Sequence, residues 1–329
     1  MEPRIILDSG AYTAHKQGSK IDIDAYAAFC KENKDFFSAA FNLDVIMNAK
    51  ASYDNWKYLR EKGVDTLPVY HIGTDEMWLK KYLKQTNHIG LGAVANLSSV
   101  QRIHGLDHIW QKHLLDAKGK PLVKVHGLGI TATELMIRYP WHSVDSFTPV
   151  LSASFGATYL PKILPGGDLD YVNGFLCKIS NQGKQLIGNK THFLGFGKGI
   201  QNKYEALFNA HGFSLGDLAN QEQKQTRKDK KMKKVAKPPA LFEMPLNKES
   251  LDPRKTIAGN WEERLRWTLV MWNELRKQMD NKTIIYLGIS TDTIAQVMAA
   301  TRPKHDALVS YAYLTDRLFT SLKKFKTCK

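Results

Sequence analysis

Short apolar runs alternate with amphipathic stretches along the first 150 residues of the chain. The stretches between the runs carry apolar residues at helical spacing, for example Tyr26, Phe29 and Cys30, and they predict helices. Strands that alternate with helices in this rhythm indicate a parallel sheet. The runs that predict strands span residues 4–8, 40–46, 66–71, 88–94, 121–126 and 143–147.

Polar residues mark the expected start of several helices, because their side chains can accept hydrogen bonds from the free N–H groups there. The helix that Ser52 is expected to cap should end near Gly63, since glycine suits a helix terminus. The predicted caps are Asp22 or Asp24, Ser52, Thr131 with Glu134 in a capping box, and Asn260 with Glu263.

The rhythm is lost over residues 151–258 and returns afterwards, with predicted strands at 283–289 and 307–314. The sequence therefore predicts six β/α units over residues 1–150, an insertion over 151–258 with a basic loop at 222–239, and the last units over 259–329. Eight strands favour a TIM-like (β/α)8 barrel, with an open doubly wound sheet as the alternative.

Groups that can exchange protons end four of the predicted strands. Asp8, Asp44, His71 and Asp145 each close a short apolar run. In a barrel of parallel strands the carboxyl ends converge on one face, where active sites are built. One such Asp could simply cap a turn or helix, but three with a His in phase favour a catalytic site.

The chain is strongly basic, with 47 Lys and Arg against 32 Asp and Glu and a net charge of +15. Such a protein favours polyanions, nucleic acid first, although positive charge can also serve solubility alone. The segment 224–237 holds eight Lys or Arg and one Asp. The residues expected to bind nucleic acid there are Lys224, Arg227, Lys228, Lys230, Lys231, Lys233 and Lys234.

Other compositional features narrow the class of protein. No apolar run approaches the roughly 18 residues that span a bilayer, and the start has no signal-peptide layout, so we expect a cytoplasmic protein. Cys30, Cys177 and Cys328 are far apart, which argues against a disulfide framework. Without a Cys-x-x-Cys motif the sequence gives no support for zinc, and we expect no cofactor.

The order of these motifs resembles the tRNA-guanine transglycosylase superfamily. The segment Asp8-Ser9-Gly10-Ala11-Tyr12 is similar to the family's Asp-Ser-Gly-Gly-aromatic signature, and Asp44 matches its next Asp. The segments 90–94, 127–129 and 144–146 resemble its later glycine and Asp motifs, in the same order. The chain looks most like the shorter phage-type members, which insert 7-deazaguanines into DNA.

The resemblance implies a base exchange that replaces guanine in nucleic acid by a 7-deazaguanine. It implies Asp145 as the nucleophile, Asp8 as the acid and base, and Asp44 as the acceptor of hydrogen bonds from the base. DNA is favoured over tRNA, because the chain leaves no room for the RNA-binding domain of many relatives. The further residues expected to bind substrate are Ser9, Tyr12, His71, Gly92, Ala93 and His126.

The chain departs from the family in several places. His71 stands where members usually have Gln. Thr13 follows the aromatic residue, at a position where members often have Gln. The family's cysteine-rich zinc site is absent. Strict alignment would put the nucleophile nearer Thr148, but Asp145 is the only carboxylate in that strand.

Two other classes of function remain open from sequence. A metal-dependent hydrolase could use His71, His126, Asp8 and Asp145 as ligands, although strand one lacks a His-x-His motif. A non-catalytic nucleic-acid-binding protein would explain the charge. It would leave the strand-end carboxylates without a role, and carboxylates repel phosphate.

Overall fold

The computed structural model describes residues 5–92, 97–130, 132–181, 192–218, 255–278, 283–289 and 308–311. Two compact units divide the chain. The first comprises residues 1–151, 161–174 and 269–329, and the second comprises 152–160 and 175–268. The basic loop at 222–239, the predicted strand-end residue Ala93 and the predicted cap Thr131 lie outside the described residues.

A parallel sheet of eight strands forms the centre of the first unit. The protein is therefore of the mixed α/β class, as the sequence predicts. All eight predicted strands occur in this sheet, in the order β2-β1-β10-β9-β6-β5-β4-β3. The strands are β1 (Ile5–Leu7), β2 (Ala39–Ala40), β3 (Val69–His71), β4 (His88–Gly92), β5 (Lys124–Gly127), β6 (Ser143–Ser146), β9 (Ile284–Ile289) and β10 (Leu308–Tyr311).

Hydrogen bonds also join the chain next to β2 with the chain next to β3, the two outermost strands in this order. Phe41 and Leu67 form a parallel bridge. The N–H of Leu67 donates to the carbonyl of Ala40 at 2.7 Å, and the N–H of Asn42 donates to the carbonyl of Leu67 at 2.9 Å. Backbone pairing therefore continues beyond the edge of the sheet at this point.

The two faces of β1 lie in different hydrophobic clusters, because side chains alternate along a strand. Leu7 packs with residues of the neighbouring helices, including Tyr26, Cys30 and Leu59. Ile6 packs on the other face with Phe41, Leu67, Val69 and Tyr286. Asp8 follows two positions after Ile6, so it continues this second face at the carboxyl end of the strand.

Helices connect the strands of the first unit. Asp22 caps α2 by accepting a hydrogen bond from the N–H of Ala25 at 2.8 Å, which confirms one of the two predicted caps. Over residues 5–154 the α-helices are α1 (Ala11–Lys16), α2 (Ile23–Glu32), α3 (Ala49–Glu61), α4 (Glu76–Leu83), α5 (Ser99–Ile109), α6 (Thr133–Arg138) and α7 (Thr148–Ser154), of which α7 extends into the second unit.

Two predicted caps are wrong. Asn48, not Ser52, caps α3, because the buried Ser52 hydroxyl is engaged by the backbone of Val45 and Asn48 instead. Helix α6 begins at Thr133, and its cap position is taken by Ala132, whose side chain cannot accept a hydrogen bond. The predicted end of α3 is confirmed, since Gly63 follows it with a φ of 77°.

The region without sequence rhythm contains regular structure. Strands β7 (Ala157–Ile163) and β8 (Leu169–Lys178) form a separate two-stranded sheet, followed by α8 (Lys198–Ala210). The next helix, α9 (Trp261–Gln278), lies beyond this region, where the sequence predicts a helix start at Asn260. Asn260 caps α9, accepting from the N–H groups of Glu262 and Glu263 at 2.7 and 3.3 Å. The predicted cap is thus confirmed.

Aromatic side chains form the core of the second unit. Trp267 contacts Phe208 with ring centroids 4.5 Å apart and Phe213 at 5.4 Å. Beside it the buried Arg264 donates to the carbonyls of Ala153, Ile257 and Ala258 at 2.7 to 3.1 Å. This guanidinium therefore ties three stretches of backbone together within the unit. In the described part of the chain, no helix has the length and apolar character that crossing a bilayer requires.

Candidate active site

Three carboxylates lie at the carboxyl ends of strands of the parallel sheet. Asp8 follows β1, Asp44 lies four residues after β2, and Asp145 is the third residue of β6. The negative charges of Asp145 and Asp44 both raise the pKa of Asp8, so the three side chains interact electrostatically. The sequence prediction that these groups share one site is consistent with this coupling.

The protonation of Asp8 is strongly altered by its surroundings. Burial disfavours its charged form and, with the two neighbouring carboxylates, raises its pKa from 3.8 to about 7. The N–H of Gly10 opposes the shift by donating to Oδ1 of Asp8 at 3.1 Å. Gly10 has a φ of 73°, a conformation that glycine adopts most easily. A carboxyl with a pKa near neutrality can both give and take a proton at physiological pH.

Asp44 is held by two neighbours. The side-chain amide of Asn42 donates to Oδ1 of Asp44 at 2.8 Å and to the carbonyl of Ser52 at 2.9 Å. Nε2 of His71 lies 3.3 Å from Oδ2 of Asp44. The side chain of Asp44 is only 9% exposed. Its orientation is therefore fixed by groups on two different strand ends.

Asp145 is held by the loop that follows β5. The N–H of Gly129 donates to Oδ1 of Asp145 at 2.5 Å, and Gly129 has a φ of 68°. A Cβ on Gly127 would lie 2.6 Å from a side-chain carbon of Ile130. Both glycines of the predicted Gly-x-Gly turn are thus needed, one for its conformation and one for its close packing.

His126 lies directly behind Asp145 and is fully buried. Its Nδ1 is 2.8 Å from the hydroxyl of Ser143. Its Nε2 is 3.9 Å from Oδ1 of Asp145 and has no hydrogen-bond partner within the described residues. His126 thus faces the predicted nucleophile from inside the sheet.

Strand β4 packs closely against His71. A Cβ on Gly92 would lie 3.0 Å from the ring of His71 and 3.0 Å from Val69. The absence of a side chain at Gly92 therefore lets the imidazole lie against the strand. His71 and Gly92 are also direct partners in the register of β3 and β4.

The two predicted residues of the first loop differ in exposure. Ser9 is buried. Tyr12 is 48% exposed, and Nζ of Lys16 lies 4.6 Å from the centre of its ring. An exposed ring four positions after Asp8 is suited to stacking on a planar group.

The four ligands expected for a metal hydrolase do not form a metal-binding group within the described ranges, and no other set of three or more His, Cys, Asp or Glu does so there. His71 pairs with Asp44, whereas His126 pairs with Ser143. Cys30 and Cys177 are buried, and neither forms a disulfide within the described residues.

Sequence reasoning missed three groups that organise the site. Asn42 and Ser143 had no distinguishing motif, although each stands two positions before a predicted Asp and so shares its side of the strand. The N–H of Gly129 belonged to a recognised glycine motif, but its bond to Asp145 spans 16 positions. No known protein family matches the chain, and neither does any characterised protein or solved structure.

Proposed function

We propose that this protein is a transglycosylase that exchanges guanine in nucleic acid for a 7-deazaguanine. The observation that supports it most is Asp8, whose pKa is about 7 and which interacts with the carboxylates of Asp145 and Asp44. Base exchange needs one carboxylate that attacks carbon and a second group that moves a proton in both directions. Asp145 and Asp8 can take these two roles.

In the first step an oxygen of Asp145 attacks C1′ of the target nucleotide. A C1′–O bond forms and the C1′–N9 bond to guanine breaks. The electron pair of that bond stays on the departing base, which accepts the proton of the Asp8 carboxyl. The Gly129 N–H holds the attacking carboxylate in place. The products are free guanine and a glycosyl ester on Asp145.

In the second step the incoming 7-deazaguanine attacks C1′ through its N9. The bond to Asp145 breaks, and its electron pair returns to the carboxylate. The proton of N9 passes to Asp8, which is thereby ready for the next cycle. Two displacements at one carbon retain its configuration.

Asp44 is proposed to recognise the base. Its carboxylate can accept hydrogen bonds from the ring N–H and exocyclic amino groups that guanine and 7-deazaguanine share. Asn42 and His71 hold it in one orientation, which lowers the cost of ordering it on binding. Tyr12 would stack on the base, and the backbone at Gly92 would contact another edge.

We further propose that the parallel sheet closes into a TIM-like barrel. The pairing between Phe41 and Leu67 links the two ends of the strand order. The cluster of Ile6, Phe41, Val69 and Tyr286 collects side chains from strands across that order. Both observations are expected of a closed barrel with a packed interior.

The polymer is proposed to be DNA, acted on in the cytoplasm (of the host, for a phage-encoded enzyme). The charge of +15 favours a polyanion. The basic segment 224–237 adds sequence-independent attraction to phosphates. The choice of DNA over tRNA depends on the resemblance to phage-type enzymes.

Mass analysis of nucleosides tests the proposal in cells. DNA and tRNA are isolated from cells that express either the wild-type chain or Asp145→Asn, and both are digested to nucleosides. The proposal predicts a 7-deaza-2′-deoxyguanosine among the DNA nucleosides of cells that express the wild-type chain only. A modified base in neither polymer, with active uptake of the 7-deazaguanine shown separately, would contradict it.

A further inference from the structure

The loop after Asp44 contains an unusual turn. The N–H of Asn48 donates to the carbonyl of Val45 at 2.9 Å, which closes a four-residue turn. Its third residue, Met47, has a φ of 68° and is the one non-glycine residue with a positive φ in the described part of the chain. Glycine or asparagine normally occupies such a position, because a side chain with a Cβ is strained there.

This turn is firmly anchored on both sides. The Ser52 hydroxyl accepts from the N–H of Val45 at 2.9 Å and lies 3.2 Å from its carbonyl oxygen. The side chain of Asn48 caps α3 by accepting from Ala51 at 3.0 Å. Asn55 donates to the carbonyl of Leu43 at 2.8 Å. The strained conformation of Met47 is therefore imposed by the packing of the loop on α3.

Met47 is also the most exposed large apolar side chain of the described residues, at 88%. It is three positions from Asp44, whose carboxylate interacts with Asp8. Other exposed apolar residues follow the same strand ends, namely Tyr12 after Asp8 and Phe147 after Asp145. The turn thus presents an exposed, unbranched apolar side chain three positions after Asp44, on the loop that follows β2.

A nucleotide whose C1′ is attacked by half-buried carboxylates must leave the duplex stack. Proteins that separate stacked bases insert apolar side chains such as Met, Leu or Phe into the gap. We propose that Met47 inserts into duplex DNA and fills the space left by the extruded guanine. This inference rests on the proposed function, and it assigns to Met47 a positioning role outside the chemical steps.

The conformation of Met47 offers a favourable set of variants. Met47→Gly removes the side chain and with it the strain of a Cβ at a positive φ, so the melting temperature should not fall. Met47→Leu keeps an apolar side chain of similar volume. Leu122→Ala is the matched control, because Leu122 is exposed and lies two positions before β5, at the amino end of the sheet.

The experiment uses one guanine-containing oligonucleotide as duplex and as single strand. Release of tritiated guanine is followed with 7-deazaguanine as the incoming base, and 2-aminopurine beside the target reports unstacking in the duplex. On the duplex, Met47→Gly should release guanine at least roughly tenfold more slowly than wild type, since unstacking costs a few kcal/mol. It should also show no 2-aminopurine signal. On the single strand its rate should stay within about twofold of wild type, because no stack must be opened.

Met47→Leu and Leu122→Ala should behave like wild type on both substrates. Equal loss on duplex and single strand in Met47→Gly would overturn the inference, because Met47 would then support the site itself. An unchanged duplex rate would overturn it as well. Neither result would affect the proposed base exchange. Wild-type protein that releases no guanine from either substrate would contradict the proposed function. If the wild-type protein also gave no 2-aminopurine signal, the proposed function and the role of Met47 would both be overturned.

Discussion

The side-chain amide of Asn42 donates one hydrogen bond to Oδ1 of Asp44 at 2.8 Å and another to the carbonyl of Ser52 at 2.9 Å. Asn42 is buried, so its position is set by the core and not by solvent. Its hydrogen bond therefore also fixes the orientation of the Asp44 side chain. A base that binds Asp44 therefore meets a carboxylate whose rotamer is already selected.

Asn42→Ala should weaken binding of the incoming base more than it slows the chemical steps. Asp44 would lose its donor, while Asp8 and Asp145 keep theirs. We expect KM for the base to rise about tenfold with kcat changed much less, since a charged hydrogen bond contributes about 1.5–3 kcal/mol. Steady-state kinetics of guanine release measures both constants.

Asn55→Ala is the control for that variant. Asn55 also donates to backbone in this region, but its bond goes to the carbonyl of Leu43 and not to Asp44. Both variants should lose a similar amount of stability, and Asn42→Ala alone should change KM. Equal kinetic effects would show that the loop as a whole, and not the bond to Asp44, matters.

Asp8 should make the stability of the fold depend on pH. Its pKa is 3.8 when unperturbed and about 7 in the fold, so the native state binds the extra proton between these values. Unfolding free energy should therefore fall as pH rises from about 4 to about 7 and then stay level. Asp8→Asn carries no such charge and should be more stable than wild type at pH 8, on the order of a few kcal/mol.

Urea unfolding of both proteins at pH 4, 6 and 8 measures this difference. The gap in stability should close towards pH 4, where Asp8 is protonated. The same variant should be inactive at every pH, because the proton transfer is lost while the shape is kept. A gap that is constant with pH would argue against the raised pKa of Asp8.

A substitution at Gly129 tests whether its N–H supports the proposed nucleophile, Asp145. Gly129→Ala should cost about 1 kcal/mol of stability, because alanine is strained at a φ of 68°. A small displacement of its N–H would move Asp145, so exchange should slow by roughly tenfold to a hundredfold. Thermal melting and guanine release provide the two measurements.

Gly119→Ala provides a matched comparison. Gly119 has a φ of 74°, and a Cβ there, like one on Gly129, would meet no atom of the described residues within 4 Å. It lies in the turn closed by Asp116 and Lys120, away from the carboxylates. Gly119→Ala should lose as much stability as Gly129→Ala but keep a normal exchange rate. If the rates of both variants fall alike, the bond from Gly129 has no special role.

The basic segment should affect all DNA sequences equally. Replacing the eight Lys and Arg of residues 224–237 with Gln should weaken binding and reduce the slope of log affinity against log salt by up to about 7. Base choice should be unchanged, since the proposed mechanism assigns it to Asp44. Lys118→Gln with Lys120→Gln is a control outside the segment. An unaltered salt slope would show that the segment does not bind phosphates.

The strand pattern could be predicted from sequence because all eight strands of the parallel sheet are short apolar runs in a regular rhythm. Strands β7 and β8 were missed. Pro161 lies within β7, and Gly166 and Gly167 suggested irregular chain. The two glycines in fact lie in the turn between β7 and β8. Ser52 has the residue type of a cap, but burial gave its hydroxyl other partners.

The candidate carboxylates could also be found from sequence, since each closes a short apolar run of a predicted strand. Their supporting contacts could not. The bonds of Gly129 to Asp145 and of His126 to Ser143 span 16 and 17 positions, and only the register of the sheet brings them together. The raised pKa of Asp8 likewise depends on burial and on two charges that are distant in the chain.

Trapping the covalent intermediate tests the central claim most directly. Wild-type protein is mixed with a guanine-containing oligonucleotide without an incoming base, quenched in denaturant, and analysed by intact mass and peptide mapping. The account predicts an oligonucleotide that has lost guanine, attached to the peptide containing Asp145, and no adduct with Asp145→Asn. An adduct on another residue, or base exchange that continues in Asp145→Asn, would contradict it.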